Sequence, residues 1–392
     1  MSFKVLTLNN IALAGLERLP RDRYEVASEI GRPDAVLVRS ADMHKMEIPA
    51  SIKAIGRAGA GVNNIPVEAM SRRGVPVFNA PGANANAVKE LVLTGILIAS
   101  RNVCEAWDFV RGLDGSEEEL HRAVEGGKKR FVGSELPGRS LGVVGLGAIG
   151  VEVANAALGL GMQVIGYDPK ITVERAWQLS SGVRQAMSLD DLFSRAQFVT
   201  VHVPLGDATR SLVNADRLGL MKPGGVLLNF ARGPIVDEAA VLASLEASRL
   251  ARYVTDFPSL LLKSHSKVIA LPHLGASTLE AEENCAVMVA ENLRDFLENG
   301  NIRHAVNFPE AILPRIEGTR LAIANANVPN MVGQISTALA GAGLNISDLL
   351  NKSRGDLAYT LVDVDGDVPP GVAEQLAGIA GVLSLRVVPD AA

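Results

Sequence analysis

Apolar residues follow two rhythms along this 392-residue chain. In the first part, FKVLTL, AVLVRS, IKAIGRAG and VPVFNAP are short apolar runs that read as strands ending in turns, with helix-length stretches between them. Strands separated by crossovers of that length imply βαβ units and a parallel sheet. PGANANAVKELVLTGILIAS reads as a helix capped by Asn84 or Asn86, and the polar segment RGLDGSEEELHRAVEGGKKRF leads on to a second α/β series. Its strands are expected at SLGVVGL, QVIGYD, FVTVHV, GVLLNF, YVTDF and VIALPH, with spacing that parallel crossovers need. Thr278 to Asn299 reads as one amphipathic helix that returns the chain to the first domain. LPRIEGT, Leu313 to Thr319, reads as a linker because exposed, mixed-charge Pro/Gly segments mark domain boundaries. Beyond it RLAIANAN, VPNMVGQISTALAGAG, LNISDLLNKS, LAYTLVDVD, PPGVAEQLAGIAG and VLSLRVV give the order βαββαβ, a ferredoxin-like unit.

Composition narrows the function classes. Apolar residues make up 48% and charged residues 21%, as in an ordered globular protein. The net charge of −5 argues against nucleic acid and against a membrane surface as partners, since both are held by a basic footprint. Cys104 and Cys285 form neither a CxxC pair nor a disulfide framework, which fits a reducing compartment and makes cytoplasm the expectation. The start, MSFKVLTLNN, lacks the sections of a signal peptide. The apolar stretch LVLTGILIAS is too short to span a bilayer. No metal site is expected.

Three stretches carry chemistry. GVVGLGAIG places Gly145, Gly147 and Gly150 between a strand and a helix, and Asp168 closes the next strand, 18 residues past Gly150. Glycines there permit a tight turn and close approach of backbone to a pyrophosphate, while the helix N-terminus favours negative charge. An acid at that spacing accepts from a ribose 2′-hydroxyl and repels a 2′-phosphate, so NAD is the expected cofactor. NFARGPIVDE puts Arg232 just past an apolar strand, on the edge where open α/β sheets bind ligands. A guanidinium there holds a carboxylate and polarises a carbonyl. LPHLGAST supplies His273, yet no carboxylate lies between Asp256 and His273, although a working histidine is usually oriented by one.

GLGAIG with YDP, NFARGPIVDE, TDFP and LPHLGASTLEAEENCA together resemble the NAD-dependent D-2-hydroxyacid dehydrogenases over nearly the whole chain. FLENGNIRHAVNFP is similar to the branch acting on D-3-phosphoglycerate, and the tail resembles the ACT regulatory domain. The resemblance implies an α/β protein with two doubly wound parallel-sheet domains, a flavodoxin-like substrate domain (1–98 and 276–314) and a Rossmann NAD-binding domain (99–275). A ferredoxin-like βαββαβ ACT domain (319–392) would follow. It implies that Arg232 holds the substrate carboxylate and carbonyl while His273 exchanges the proton of the C2 oxygen, as hydride passes between C2 and NAD. Arg39, Ser40, Ala60, Gly61, Val62 and Asn84 would meet a small anionic 2-hydroxy acid, with Arg39 or Lys89 toward a phosphate. Besides the glycines and Asp168, the implied cofactor contacts are Ala148, Ile149, Val203, Pro204, Phe230, Ala231, Asp256, Gly275 and Ala276. In the tail Asn325, Asn327 and Asn345 match positions that take an amino-acid effector, L-serine first. A homodimer or homotetramer is the expected assembly.

Two departures stand out. Asn63 occupies a position where many relatives have Asp, and the family's catalytic Glu falls among Leu260, Leu261 and Leu262. Alternatives are therefore kept: hydroxypyruvate or 2-hydroxyglutarate as substrate, or an NAD(H)-binding sensor with low turnover.

Overall fold

The computed structural model describes residues 2–388; Met1 and residues 389–392, the end of the expected 319–392 segment, lie outside the described residues. The chain forms two compact units, Met1–Asn84 with Leu279–Ala392, and Ala85–Thr278.

In the first unit β1 (Phe3–Leu8), β2 (Tyr24–Ala27), β3 (Ala35–Val38), β4 (Ala54–Arg57) and β5 (Val77–Phe78) make a sheet of order β2-β1-β3-β4-β5. Every pairing is parallel, and the order is that of a flavodoxin-like doubly wound sheet. All four residues of β3 are buried, which is why this strand reads as a continuous apolar run rather than an alternation. The helix Leu279–Asn299 lays Cys285, Ala286, Val289, Leu293 and Phe296 into this core. Gly56 permits the close approach, because a Cβ there would stand 2.8 Å from Val289 Cγ2. β2 was not expected from the sequence; its YEVA core is short and follows a polar turn.

The same unit carries β13 (Thr319–Ala326), β14 (Ile346–Arg354), β15 (Leu357–Val364) and β16 (Val382–Val388), an antiparallel sheet of order β14-β15-β13-β16. With helices Met331–Gly341 and Pro370–Ala377 this is the βαββαβ order read from the sequence. The period-2 alternation sorts its side chains. Leu321, Ile323, Val362 and Val364 pack under the two helices, whereas Ala322, Ala324, Tyr359 and Leu361 join the core that holds Phe296 and Phe308.

In the second unit β6 (Ser140–Val144), β7 (Gln163–Tyr167), β8 (Arg184–Gln185), β9 (Phe198–Val201), β10 (Gly225–Asn229), β11 (Leu250–Thr255) and β12 (Val268–Ala270) form a sheet of order β12-β11-β10-β9-β6-β7-β8. All pairings are parallel. Strand order reverses between β6 and β9, the Rossmann switch point. Helix Ala85–Arg101 is present where expected, but the expected cap is corrected: Asn84 Oδ1 is buried with no hydrogen bond, and the Asn86 amide bonds Glu90 at 2.9 Å instead. The polar segment after it contains a helix, Glu117–Gly127, opened by a Ser116–Glu119 capping box. Among the described residues no helix is long and apolar enough to cross a membrane.

Candidate active site

The glycine motif opens the second unit's site. Gly145 directly follows β6 at φ 90°, where a Cβ would stand 2.9 Å from the His202 carbonyl oxygen and from Val203 Cγ1. A Cβ on Gly150 would overlap the Gly145 carbonyl. Gly147 differs: it is exposed, and nothing lies within 4 Å of its missing Cβ. Two glycines thus satisfy the turn and the helix packing, and the third leaves open space over the N-terminus of the helix Ala148–Gly159. Open backbone at a helix N-terminus at the switch point suits the pyrophosphate of a dinucleotide, so the residues present fit NAD. Asp168 reaches this loop by accepting the N–H of Leu146 (2.8 Å), and it also accepts that of Lys170 (2.8 Å). Its carboxylate is therefore held on the turn it would share with a ribose.

Val203 is half-buried and Pro204 exposed beyond β9. Ala148 and Ile149 are half-buried in the helix's first turn. The Phe230 side chain is 5% exposed and belongs to the core, so anything it offers a ligand is backbone. Between β9's end and the glycine loop, His202 Nε2 lies 3.0 Å from Thr200 Oγ1 while Nδ1 is buried without a partner. Burial pushes its pKa down to about 3.

Arg232 stands past the end of β10 and is exposed, with Nη1 donating to the Ala231 carbonyl at 2.6 Å. The turn is set by Asn229, fully buried at the strand's last position. Its Oδ1 accepts the Ala231 N–H (3.1 Å) and its Nδ2 donates to the Arg232 carbonyl (3.0 Å). Tyr253, on the neighbouring strand, is buried, and burial pushes its phenol pKa up. Sequence reading passed over Asn229; the available signal was a polar residue closing the apolar run GVLLN immediately before the arginine.

His273 follows β12 and is exposed. Its backbone is left-handed, φ 58°, a conformation tolerated by few residues other than glycine. Buried Asp256, just past β11, holds that turn: its carbonyl accepts the His273 N–H (3.1 Å), Oδ1 that of Leu274 (2.7 Å) and Oδ2 that of Gly275 (2.8 Å). Ala276 beyond it is exposed. The Phe257 ring lies 5.0 Å from the imidazole, tilted by 56°. Leu260 and Leu261 are 87% and 51% exposed, while Leu262 is buried in the core. Arg232, Asp256 and His273 thus leave the carboxyl ends of three adjacent strands, β10, β11 and β12.

The remaining candidates belong to the first unit. Arg39 follows β3, half-buried, paired with Glu282 of the helix Leu279–Asn299. The Ser40 N–H donates to Asn9 Oδ1 at 3.2 Å, and exposed Ala60 accepts from Asn79 Nδ2 at 2.6 Å. Gly61, Val62 and Asn84 are half-buried. Lys89, in the second unit, bonds Asn86. In the C-terminal sheet Asn325 is buried, donating to the Ala326 carbonyl and accepting from Thr360. Asn327 and Asn345 are exposed, their amides on the Gly355 carbonyl (2.9 Å) and Asp365 (2.8 Å). No group of three or more potential metal ligands occurs among the described residues.

Comparison with known proteins extends this geometry. The family model described as D-isomer specific 2-hydroxyacid dehydrogenase, NAD binding domain, matches residues 96–275. The chain is 36% identical over 378 residues to a D-3-phosphoglycerate dehydrogenase of Synechocystis sp., covering 91% of this chain and 65% of that protein. It is 34% identical over 355 residues to the D-3-phosphoglycerate dehydrogenase of Haemophilus influenzae, covering 87% and 82%. The chain therefore spans just under two thirds of the first relative and about four fifths of the second. A crystal structure of NAD+-bound 3-phosphoglycerate dehydrogenase from Entamoeba histolytica is similar with a TM-score of 0.60 at 27% identity, covering 78% of this chain and 99% of that one. With a Rossmann sheet, an NAD-fitting glycine turn and these relatives, the chain belongs to the NAD-dependent D-2-hydroxyacid dehydrogenases.

Proposed function

We propose that this enzyme oxidises D-3-phosphoglycerate to 3-phosphohydroxypyruvate, the opening step of serine synthesis, in the cytoplasm. The observation that carries the reading is that Arg232 and His273 leave the same end of one sheet, from β10 and β12, on either side of the strand that Asp256 follows. Bound NAD supplies the hydride acceptor. Arg232 holds the substrate carboxylate and stabilises the carbonyl that develops at C2, which is positioning together with electrostatic stabilisation. A ring nitrogen of His273 accepts the C2 hydroxyl proton, and returns it in the reverse direction. The phosphate is assigned to a basic side chain, with Arg39 and Lys89 the candidates, and Ser40, Ala60, Gly61, Val62 and Asn84 complete the proposed substrate contacts. For the cofactor, Gly145, Gly147, Ala148, Ile149 and Gly150 take the pyrophosphate side and Asp168 the ribose. Val203, Pro204, Phe230, Ala231, Asp256, Gly275 and Ala276 flank it.

Residues 319–392 form, in this reading, an ACT domain for a small amino acid, L-serine first, in a homodimer or homotetramer. Asn327 and Asn345 are its leading contacts, since both are exposed. Calorimetry with L-serine tests this part, and absence of any heat contradicts it. The main reading is tested by NADH consumption across a panel of keto acids. The expected order puts kcat/KM for 3-phosphohydroxypyruvate above hydroxypyruvate and 2-oxoglutarate; a preference for either of the latter assigns another 2-hydroxy acid, and no turnover with any assigns an NAD(H) sensor.

A further inference from the structure

A histidine that trades a proton needs its ring aimed, and the side chain usually responsible is missing. Leu260 and Leu261 point to solvent, Leu262 is buried, and the Asp256 carboxylate is occupied by the backbone N–H groups of Leu274 and Gly275. His273 makes no side-chain hydrogen bond among the described residues.

We propose that Phe257 is the positioning residue for His273, its ring fixing the imidazole by contact where a carboxylate would fix it by a hydrogen bond. The inference rests on the acid/base role proposed for His273. The two rings meet at 5.0 Å and 56°, the tilted geometry that aromatic pairs favour over a stacked sandwich. Phe257 also lies against the arginine turn: a Cβ on Gly233 would stand 3.5 Å from Phe257 Cβ. Phe257 is therefore next to both the imidazole and the turn that carries Arg232.

The backbones that carry the two rings are fixed by hydrogen bonds. The Phe257 N–H donates to Thr255 Oγ1 at 3.1 Å, and the Asp256 N–H to the Asn229 carbonyl at 3.1 Å, so the aromatic residue inherits its place from the strand pair β10–β11. The His273 N–H and the two after it are all taken by Asp256. Buried Asp256 thus anchors the turn of His273 and directly precedes Phe257 in the chain, and the left-handed φ of His273 sets the direction in which its Cβ leaves the turn. A phenyl ring constrains where the imidazole points and adds no charge to it. Loss of the ring should therefore appear in turnover and leave cofactor affinity alone.

The experiment compares Phe257→Leu, Phe257→Tyr and His273→Gln for kcat, for NADH affinity by fluorescence, and for the imidazole C–H resonances, assigned by their loss in His273→Gln. Phe257→Leu should lower kcat about tenfold at unchanged NADH affinity, a fraction of the loss that misplacing a reacting group can cause. It should also shift the His273 resonances by removing the ring current. Phe257→Tyr, which keeps the ring, should restore both. Parent-like kcat in Phe257→Leu beside a crippled His273→Gln overturns the positioning role and leaves the acid/base role standing. Unmoved His273 resonances in Phe257→Leu overturn the contact itself. Parent-like kcat in His273→Gln overturns both roles together.

Discussion

Asp168 and Asp256 were both legible as candidate cofactor residues, but each also has a local task that no motif announces. Asp168 accepts the Leu146 and Lys170 N–H groups, and Asp256 those of Leu274 and Gly275. The spacing of an acid after a strand is readable in one dimension; which backbone groups its oxygens collect depends on how two turns meet. His202 shows the same limit, since nothing in VHVP tells that Nδ1 is buried without a partner. It leads to a pH prediction. Burial holds the folded pKa near 3, against about 6.5 in an unfolded chain. Between those values the unfolded state binds more protons, so stability rises with pH. The contribution is complete above about pH 6.5 and is lost as pH falls toward about 3. Melting temperatures across that range should fall less steeply in His202→Asn than in the parent; parallel curves contradict the assignment.

At the level of elements, the buried parallel strands were easy to read because each is a run of apolar residues bounded by turns. β6, β9 and β10 are buried at every residue. β8 was not read because its two residues, Arg184 and Gln185, are exposed and polar. The helix Glu117–Gly127 was passed over for its polarity, although Ser116 and Glu119 spell its capping box. The turn after β10 that carries Arg232 depends on a residue of the strand itself. Asn229→Ala removes the hydrogen bonds to the Ala231 N–H and the Arg232 carbonyl, each contributing about 0.5–1.5 kcal/mol. The expected outcome is a raised KM for the keto acid with NADH affinity retained. An unchanged KM contradicts the view that Asn229 sets the arginine turn.

Across the whole molecule, the expected linker at Leu313 to Thr319 is held down rather than free. Arg320, fully buried, pairs with Asp363 through Nε and Nη2, both at 2.6 Å. Its remaining donors take the carbonyls of Leu313 (2.7 Å), Pro314 (2.8 Å) and Asn299 (3.1 Å). Tyr359 donates to the Gly300 carbonyl at 2.7 Å, and Arg386 to that of Leu297 at 2.9 Å. The C-terminal sheet is thereby tied to the helix Leu279–Asn299 and the strands it covers. Composition could locate the linker, but only the fold reveals that one arginine takes its first two carbonyls. Asp363→Ala should cost about 3–5 kcal/mol by stranding a buried guanidinium, read as a shift in the denaturant midpoint; a shift near zero means the pair is dispensable. The central claim, an NAD-dependent dehydrogenase with His273 at its chemical step, meets its most direct test in single-turnover NADH oxidation with 3-phosphohydroxypyruvate. Parent and His273→Gln are compared, both saturated with cofactor. The expected result is a loss on the order of 10²-fold or more, the size of a missing acid/base group; equal rates in the two proteins would contradict a role for His273 in the chemical step.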